Sequence, residues 1–140
     1  MNMLPSSFAM RDWRSARKSQ GGFTLVELLV VIALISLLAA MAVVQYRNSI
    51  QKTQEATLKT NLFRMRDAID QYYADKGKYP SSLDALVSDQ YLRKIPDDPI
   101  TRSATTWQVV APADSGKGRV YDVRSGASGK ARNGSAYDSW

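Results

Sequence analysis

The sequence predicts an α+β chain in which one long N-terminal helix, a membrane half plus an amphipathic half, packs on a small antiparallel sheet. Residues 23–44 form a 22-residue run that is apolar except for Thr24, Glu27 and Ser36. As a helix this run extends about 33 Å, enough to cross the roughly 30 Å hydrocarbon core of a bilayer. From Gln45 to Lys76 the pattern turns amphipathic with no Gly or Pro to interrupt it. Beyond Pro99, the stretches 107–110 and 120–123 are short, rich in β-formers and separated by Pro112 and Gly116-Lys117-Gly118, which reads as a hairpin with a loop.

The first 22 residues carry Arg11, Arg14, Arg17 and Lys18 against Asp12 alone, and end in Gly21-Gly22. This basic block is expected to stay cytoplasmic, with the chain after the apolar run on the far side of the membrane. Glu27 is the anomaly. A carboxylate costs on the order of 2.5–3.5 kcal/mol near the bilayer centre and somewhat less toward an end, so it implies a partner. One reading of the segment is a secretory signal peptide with an A-x-A-like site at Ala40-Met41-Ala42, although its apolar region is long and contains Glu27. Another is a plain single-pass anchor with Glu27 near one end.

A third reading accounts for more residues. Gly22-Phe23-Thr24-Leu25-Val26-Glu27 resembles the type IV prepilin signature. The resemblance implies that a membrane peptidase cuts on the cytoplasmic side after Gly22, and that Phe23 becomes an N-methylated mature terminus. Glu27 is then the assembly residue. Cutting before Phe23 creates an α-amino cation four residues from the carboxylate, about 6 Å away along a helix axis. A neighbour displaced by that rise brings its amine against Glu27. Breaking such a buried pair leaves an uncompensated charge costing several kcal/mol, so the carboxylate can set register in a filament.

Removing the leader leaves 118 residues and lowers the net charge from +6 to +3. That length supports one small domain beside a membrane helix. The residual charge is modest and interspersed, so no nucleic-acid partner is expected. There is no cysteine and no histidine, hence no disulfide and no thiolate or imidazole chemistry. Without a paired carboxylate arrangement to replace them, catalysis is not expected.

Within 45–76, Ile50, Leu58, Leu62, Met65, Ile69 and Tyr72 or Tyr73 give a core-facing stripe, while Lys52, Lys59, Arg66 and Asp70 lie mainly elsewhere. One continuous helix over 23–76 is the simplest reading. It should end at Lys76-Gly77, where a lysine suits the negative end of the dipole and a glycine can turn left-handed. Ser81 and Asp84 have capping-box spacing for a second helix, from about Ser82 to Ser88 or Asp89, with Leu83, Leu86 and Val87 inward. Trp107, Val109 and Tyr121 or Val120 are the expected sheet contribution to the core.

Gly77-Lys78-Tyr79-Pro80, Leu83-Asp84-Ala85-Leu86, Tyr91-Leu92-Arg93-Lys94-Ile95-Pro96-Asp97-Asp98-Pro99 and Trp107, following a prepilin helix, look like the major pseudopilin of the type II secretion system. The resemblance implies a pilin-like fold and a subunit of a periplasmic, pilus-like filament that helps move folded proteins through an outer-membrane channel. The implied partners are further copies of the chain in a helical filament, the prepilin peptidase, other pseudopilins and the inner-membrane secretion platform. The implied organisation is a cleaved leader over 1–22, a transmembrane and filament-core half over 23–44, an amphipathic half over 45–76 and a small periplasmic α+β region with a C-terminal tail over 77–140. Related major pseudopilins also bind calcium after the second strand. Here Asp122, Ser125 and Asp138 are the candidate ligands, in a poor setting among Arg124, Lys130 and Arg132. The alternative is that Tyr137 and Trp140 hold the tail without metal, with Asn133-Gly134 as a turn. The chain also lacks the proline that pilins and major pseudopilins commonly carry near the end of the apolar segment. A type IV pilin or minor pilin for adhesion, motility or DNA uptake is the alternative function.

Overall fold

The computed structural model describes residues 21–140, so the leader expected over 1–22 lies outside the described residues except for Gly21 and Gly22. The described residues divide after Ala40 into two compact units, the second being Met41–Trp140. Helix α1, Leu25–Lys76, contributes to both.

In the first unit every apolar side chain of α1 is exposed, on all faces of the helix. A helix apolar all round is stable in lipid or against other apolar helices, not in water. Its one hydroxyl beyond the first turn is satisfied locally, Ser36 Oγ donating to the Ile32 carbonyl at 2.8 Å.

In the second unit, spacings of three and four place Leu58, Leu62, Met65, Ala68, Ile69 and Tyr72 on one buried face of α1. Ile50, expected in the same stripe, is 40% exposed, and the buried face begins at Leu58. Gly77, at φ 68°, donates its N–H to the Tyr73 carbonyl and ends α1 as its sequence predicts. Helix α2 spans Leu83–Ser88 and buries Leu86. Its cap is Ser82, whose hydroxyl accepts from the Ala85 N–H at 3.3 Å. The Ser81–Asp84 box expected from the spacing is therefore displaced by one residue.

The sheet is a single antiparallel pair, β1 (Gln108–Val110) with β2 (Asp122–Arg124), in the register Gln108↔Arg124, Val109↔Val123 and Val110↔Asp122. Trp107, Val120 and Val123 enter the core, whereas Val109 is 45% exposed and Tyr121 also faces outward. The indole N–H of Trp107 donates to the Pro96 carbonyl at 2.7 Å, tying the Ile95-Pro96 segment to the start of β1. Gly126 follows β2 so closely against Thr106 that an added Cβ would lie 1.9 Å from the Thr106 carbonyl oxygen. Ala127, Ala131 and Tyr137 complete the core from the tail.

Candidate processing and assembly site

The helix begins at Leu25 because Thr24 and Glu27 cap each other. The Thr24 N–H donates to Glu27 Oε2 at 2.9 Å, and the Glu27 N–H donates to Thr24 Oγ1 at 3.1 Å. The Leu28 N–H closes the first turn on the Thr24 carbonyl at 3.2 Å. This is a capping box, two orphan donors satisfied reciprocally, and it puts a carboxylate at the positive end of the helix dipole. The T-x-x-E spacing that announces it is present in the sequence, and Thr24 is the residue that a reading centred on the charge of Glu27 passes over.

Immediately upstream, Gly21, Gly22 and Phe23 are non-helical and exposed, with Phe23 81% exposed. A Cβ at Gly22 would meet nothing within 4 Å, and its φ is not in the left-handed region. The fold makes no demand for glycine there. The Gly22–Phe23 bond is therefore an exposed, non-helical peptide set one residue before a capped helix.

The second candidate group, Asp122, Ser125 and Asp138, is dispersed among other partners. Asp122 Oδ1 accepts from Arg66 Nε at 2.7 Å and from the Val123 N–H at 2.8 Å. Ser125 is fully buried, its hydroxyl donating to Asp98 Oδ2 and accepting from the Ala127 N–H at 3.1 Å. Asp138 is exposed in the short C-terminal turn Tyr137–Ser139. Among the described residues there is no group of three or more His, Cys, Asp or Glu side chains placed to hold a metal.

Three polar residues outside the sequence-derived set organise the region. Asp98, fully buried, also accepts from the Ile100 N–H at 2.8 Å, so one carboxylate joins the Asp98-Pro99 loop to the segment after β2. Glu55 Oε1 accepts from the Arg132 N–H at 2.9 Å and the Tyr137 hydroxyl at 3.1 Å. Burial holds the Tyr137 phenol above its ordinary pKa; the Glu55 bond acts in the same direction and a bond from Gln51 against it. Arg66 bridges α1 to β2. These contacts join positions far apart in sequence, and no local spacing signals them.

At the far end of α1, Lys76 Nζ lies 2.7 Å from Asp89 Oδ2 and over the Tyr72 ring. The bond to Asp89 raises the lysine's pKa and lowers the carboxylate's. Both groups are exposed, and this pair fastens the start of the loop region to the helix rather than forming a reactive site.

The family described as the prokaryotic N-terminal methylation motif matches residues 17–43, the segment that contains the capping box and the Gly22–Phe23 bond. The type II secretion system core protein G of Pseudomonas aeruginosa is 32% identical over 130 residues, covering 81% of this chain and 88% of that protein. The protein of the same name from Vibrio cholerae is 27% identical over 128 residues, covering 81% and 84%. A fimbrial protein, EcpC of Eikenella corrodens, is 32% identical over 84 residues, but that likeness covers only 56% of this chain and 55% of the relative. No solved structure matches the chain.

Proposed function

The chain belongs to the type II secretion system core protein G family, and from that premise we propose that it is a structural subunit of a periplasmic pseudopilus, assembled through its N-terminal helix after cleavage at Gly22 and N-methylation of Phe23. The observation that carries the reading is the reciprocal Thr24–Glu27 cap at the head of a wholly exposed apolar helix, one residue behind an accessible Gly22–Phe23 bond.

The mechanism follows from what each residue can do. Before cleavage, the Thr24 N–H and the helix dipole partly neutralise Glu27, which lowers the cost of holding a carboxylate at the membrane boundary. Hydrolysis of the Gly22–Phe23 bond releases the basic leader and leaves a cationic amine on Phe23. The apolar faces of residues 25–44 then bury against equivalent helices rather than lipid. A neighbour offset by about one turn places its amine at Glu27, and the carboxylate exchanges a backbone donor for a cation. The charge therefore rewards one register of packing above others.

The chain acts mechanically and performs no chemistry of its own. It is anchored in the inner membrane by a single pass over 23–44, with the leader cytoplasmic and residues 77–140 in the periplasm, in agreement with the basic charge upstream of the apolar run. Its partners are other copies of itself, the prepilin peptidase, other pseudopilins and the inner-membrane platform. N-terminal analysis of the protein purified from membranes tests the reading. A terminus at methylated Phe23 is expected, and a terminus at Val43 would return the chain to ordinary secretion.

A further inference from the structure

A calcium ion after the second strand needs six to eight oxygens at 2.3–2.6 Å, carboxylates prominent among them. The residues of this chain do not fit that requirement. The Asp122 carboxylate is already engaged by the Arg66 guanidinium, whose Nη2 also donates to the Val123 carbonyl at 2.9 Å. Arg66 thus takes one acidic side chain and one backbone carbonyl, the two kinds of oxygen that a hard dication would seek on this strand. The Ser125 hydroxyl is committed to Asp98 and the Ala127 N–H. Asp138 belongs, among the described residues, to no group of three or more His, Cys, Asp or Glu side chains that could hold a metal.

The order that a metal would impose on the tail comes instead from α1. Glu55 accepts from a backbone N–H and a phenol of the tail through one oxygen, and bonds to a charged acceptor are roughly twice as strong as neutral ones. The tail also closes on itself, the Ala131 N–H meeting the Ser135 carbonyl at 2.7 Å and the Tyr137 N–H the Gly129 carbonyl at 3.2 Å. Its last residue, Trp140, lies under the Lys59 ammonium at 4.6 Å.

We infer that this chain locks its C-terminal loop onto α1 through Glu55, while Arg66 holds β2 by the oxygens a metal would seek, and that the loop needs no metal ion. Glu55 acts as the positioning residue: it fixes Arg132 and Tyr137, and through Tyr137 the last turn. The inference is independent of the assembly role of Glu27, because it concerns only the second unit and is read from the isolated chain.

The test uses the full chain in detergent, with thermal unfolding and limited trypsin digestion read by mass spectrometry at the exposed Lys130 and Arg132, in millimolar calcium or in excess EGTA. The wild type is expected to melt at the same temperature and resist cleavage equally in both. Glu55→Ala should be cut roughly tenfold faster at these sites in both buffers, as loss of about 1.4 kcal/mol of local protection implies. Glu55→Gln, whose amide oxygen still accepts but carries no charge, should recover about half of the lost protection free energy. A melting temperature raised by calcium, or a calorimetric calcium-binding isotherm, would overturn the inference. So would wild-type protection in Glu55→Ala, or an equal loss of protection in Glu55→Ala and Glu55→Gln.

Discussion

The Glu27 carboxylate lies 2.9 Å from the backbone N–H of Thr24, so the one acid in the apolar half of α1 is engaged by its own helix before any neighbour arrives. Capping and assembly are separable by charge. In Glu27→Gln the amide oxygen still accepts from Thr24, but no net charge remains to meet a neighbour's amine. Leader cleavage should be unchanged, and filament incorporation, measured by cross-linking in cells, should fall about tenfold or more, given several kcal/mol for a lost buried pair. Glu27→Val should fail in the same way. Normal incorporation of either variant would remove the electrostatic account of register.

Asp98 and Ser125 make a second separable prediction. Asp98→Ala orphans the buried Ser125 hydroxyl and the part-buried Ile100 N–H, and a buried group left unpaired costs about 1–3 kcal/mol. A fall in melting temperature of roughly 4–8 °C per kcal/mol is expected for a domain of this size. Asp98→Asn, which keeps one oxygen for Ile100, should fall less. Equal melting of Asp98→Ala and wild type would show that the carboxylate does not hold the two loops together.

Local periodicity made part of this architecture legible in the sequence. The stripe from Leu58 to Tyr72, the stop at Gly77 and the Asn133-Gly134 turn, where Gly134 takes φ 85°, each follow from neighbours within about one turn of chain. Ile50 and Val109 are exposed where their sequence suggests burial, because apolar character says only that a side chain can be buried, and what covers it is decided elsewhere in the chain. The polar framework was hidden for the same reason. Glu55 and Tyr137 are 82 positions apart, and Asp98 and Ser125 are 27 apart. Nothing in the residues flanking Asp98 or Glu55 marks either carboxylate as a tie to a distant loop. Glu27 stood out because it is an acid in an apolar run, a contrast visible without any partner.

Glycine should matter oppositely at two positions. Gly126→Ala drives a Cβ into the Thr106 carbonyl oxygen, a backbone atom that cannot rotate aside, and it should destabilise the second unit by about 1–3 kcal/mol, as overpacking does. Gly22→Val meets open space. It should leave thermal unfolding unchanged while blocking removal of the leader, read as retained mass in membranes. Normal processing of Gly22→Val would mean that the peptidase does not read that residue.

Alkaline pH should loosen the second unit. Burial raises the pKa values of Tyr79 and Tyr137 in the folded state, a hydrogen bond to Asp75 raises that of Tyr91, and the bond to Asp89 raises that of Lys76. A group with a raised folded pKa keeps its proton more tightly when folded. Its stabilisation is therefore complete below the unfolded value, 10.0 for the tyrosines and 10.5 for the lysine, and is lost as pH rises through the folded one. Melting temperature should be insensitive to these four groups at neutral pH and should decline above about pH 10. Tyr137→Phe removes one of the titrations, so its decline should be shallower even though its starting stability is lower. A wild-type profile that stays level past pH 10, or a Tyr137→Phe profile as steep as wild type, would contradict this assignment.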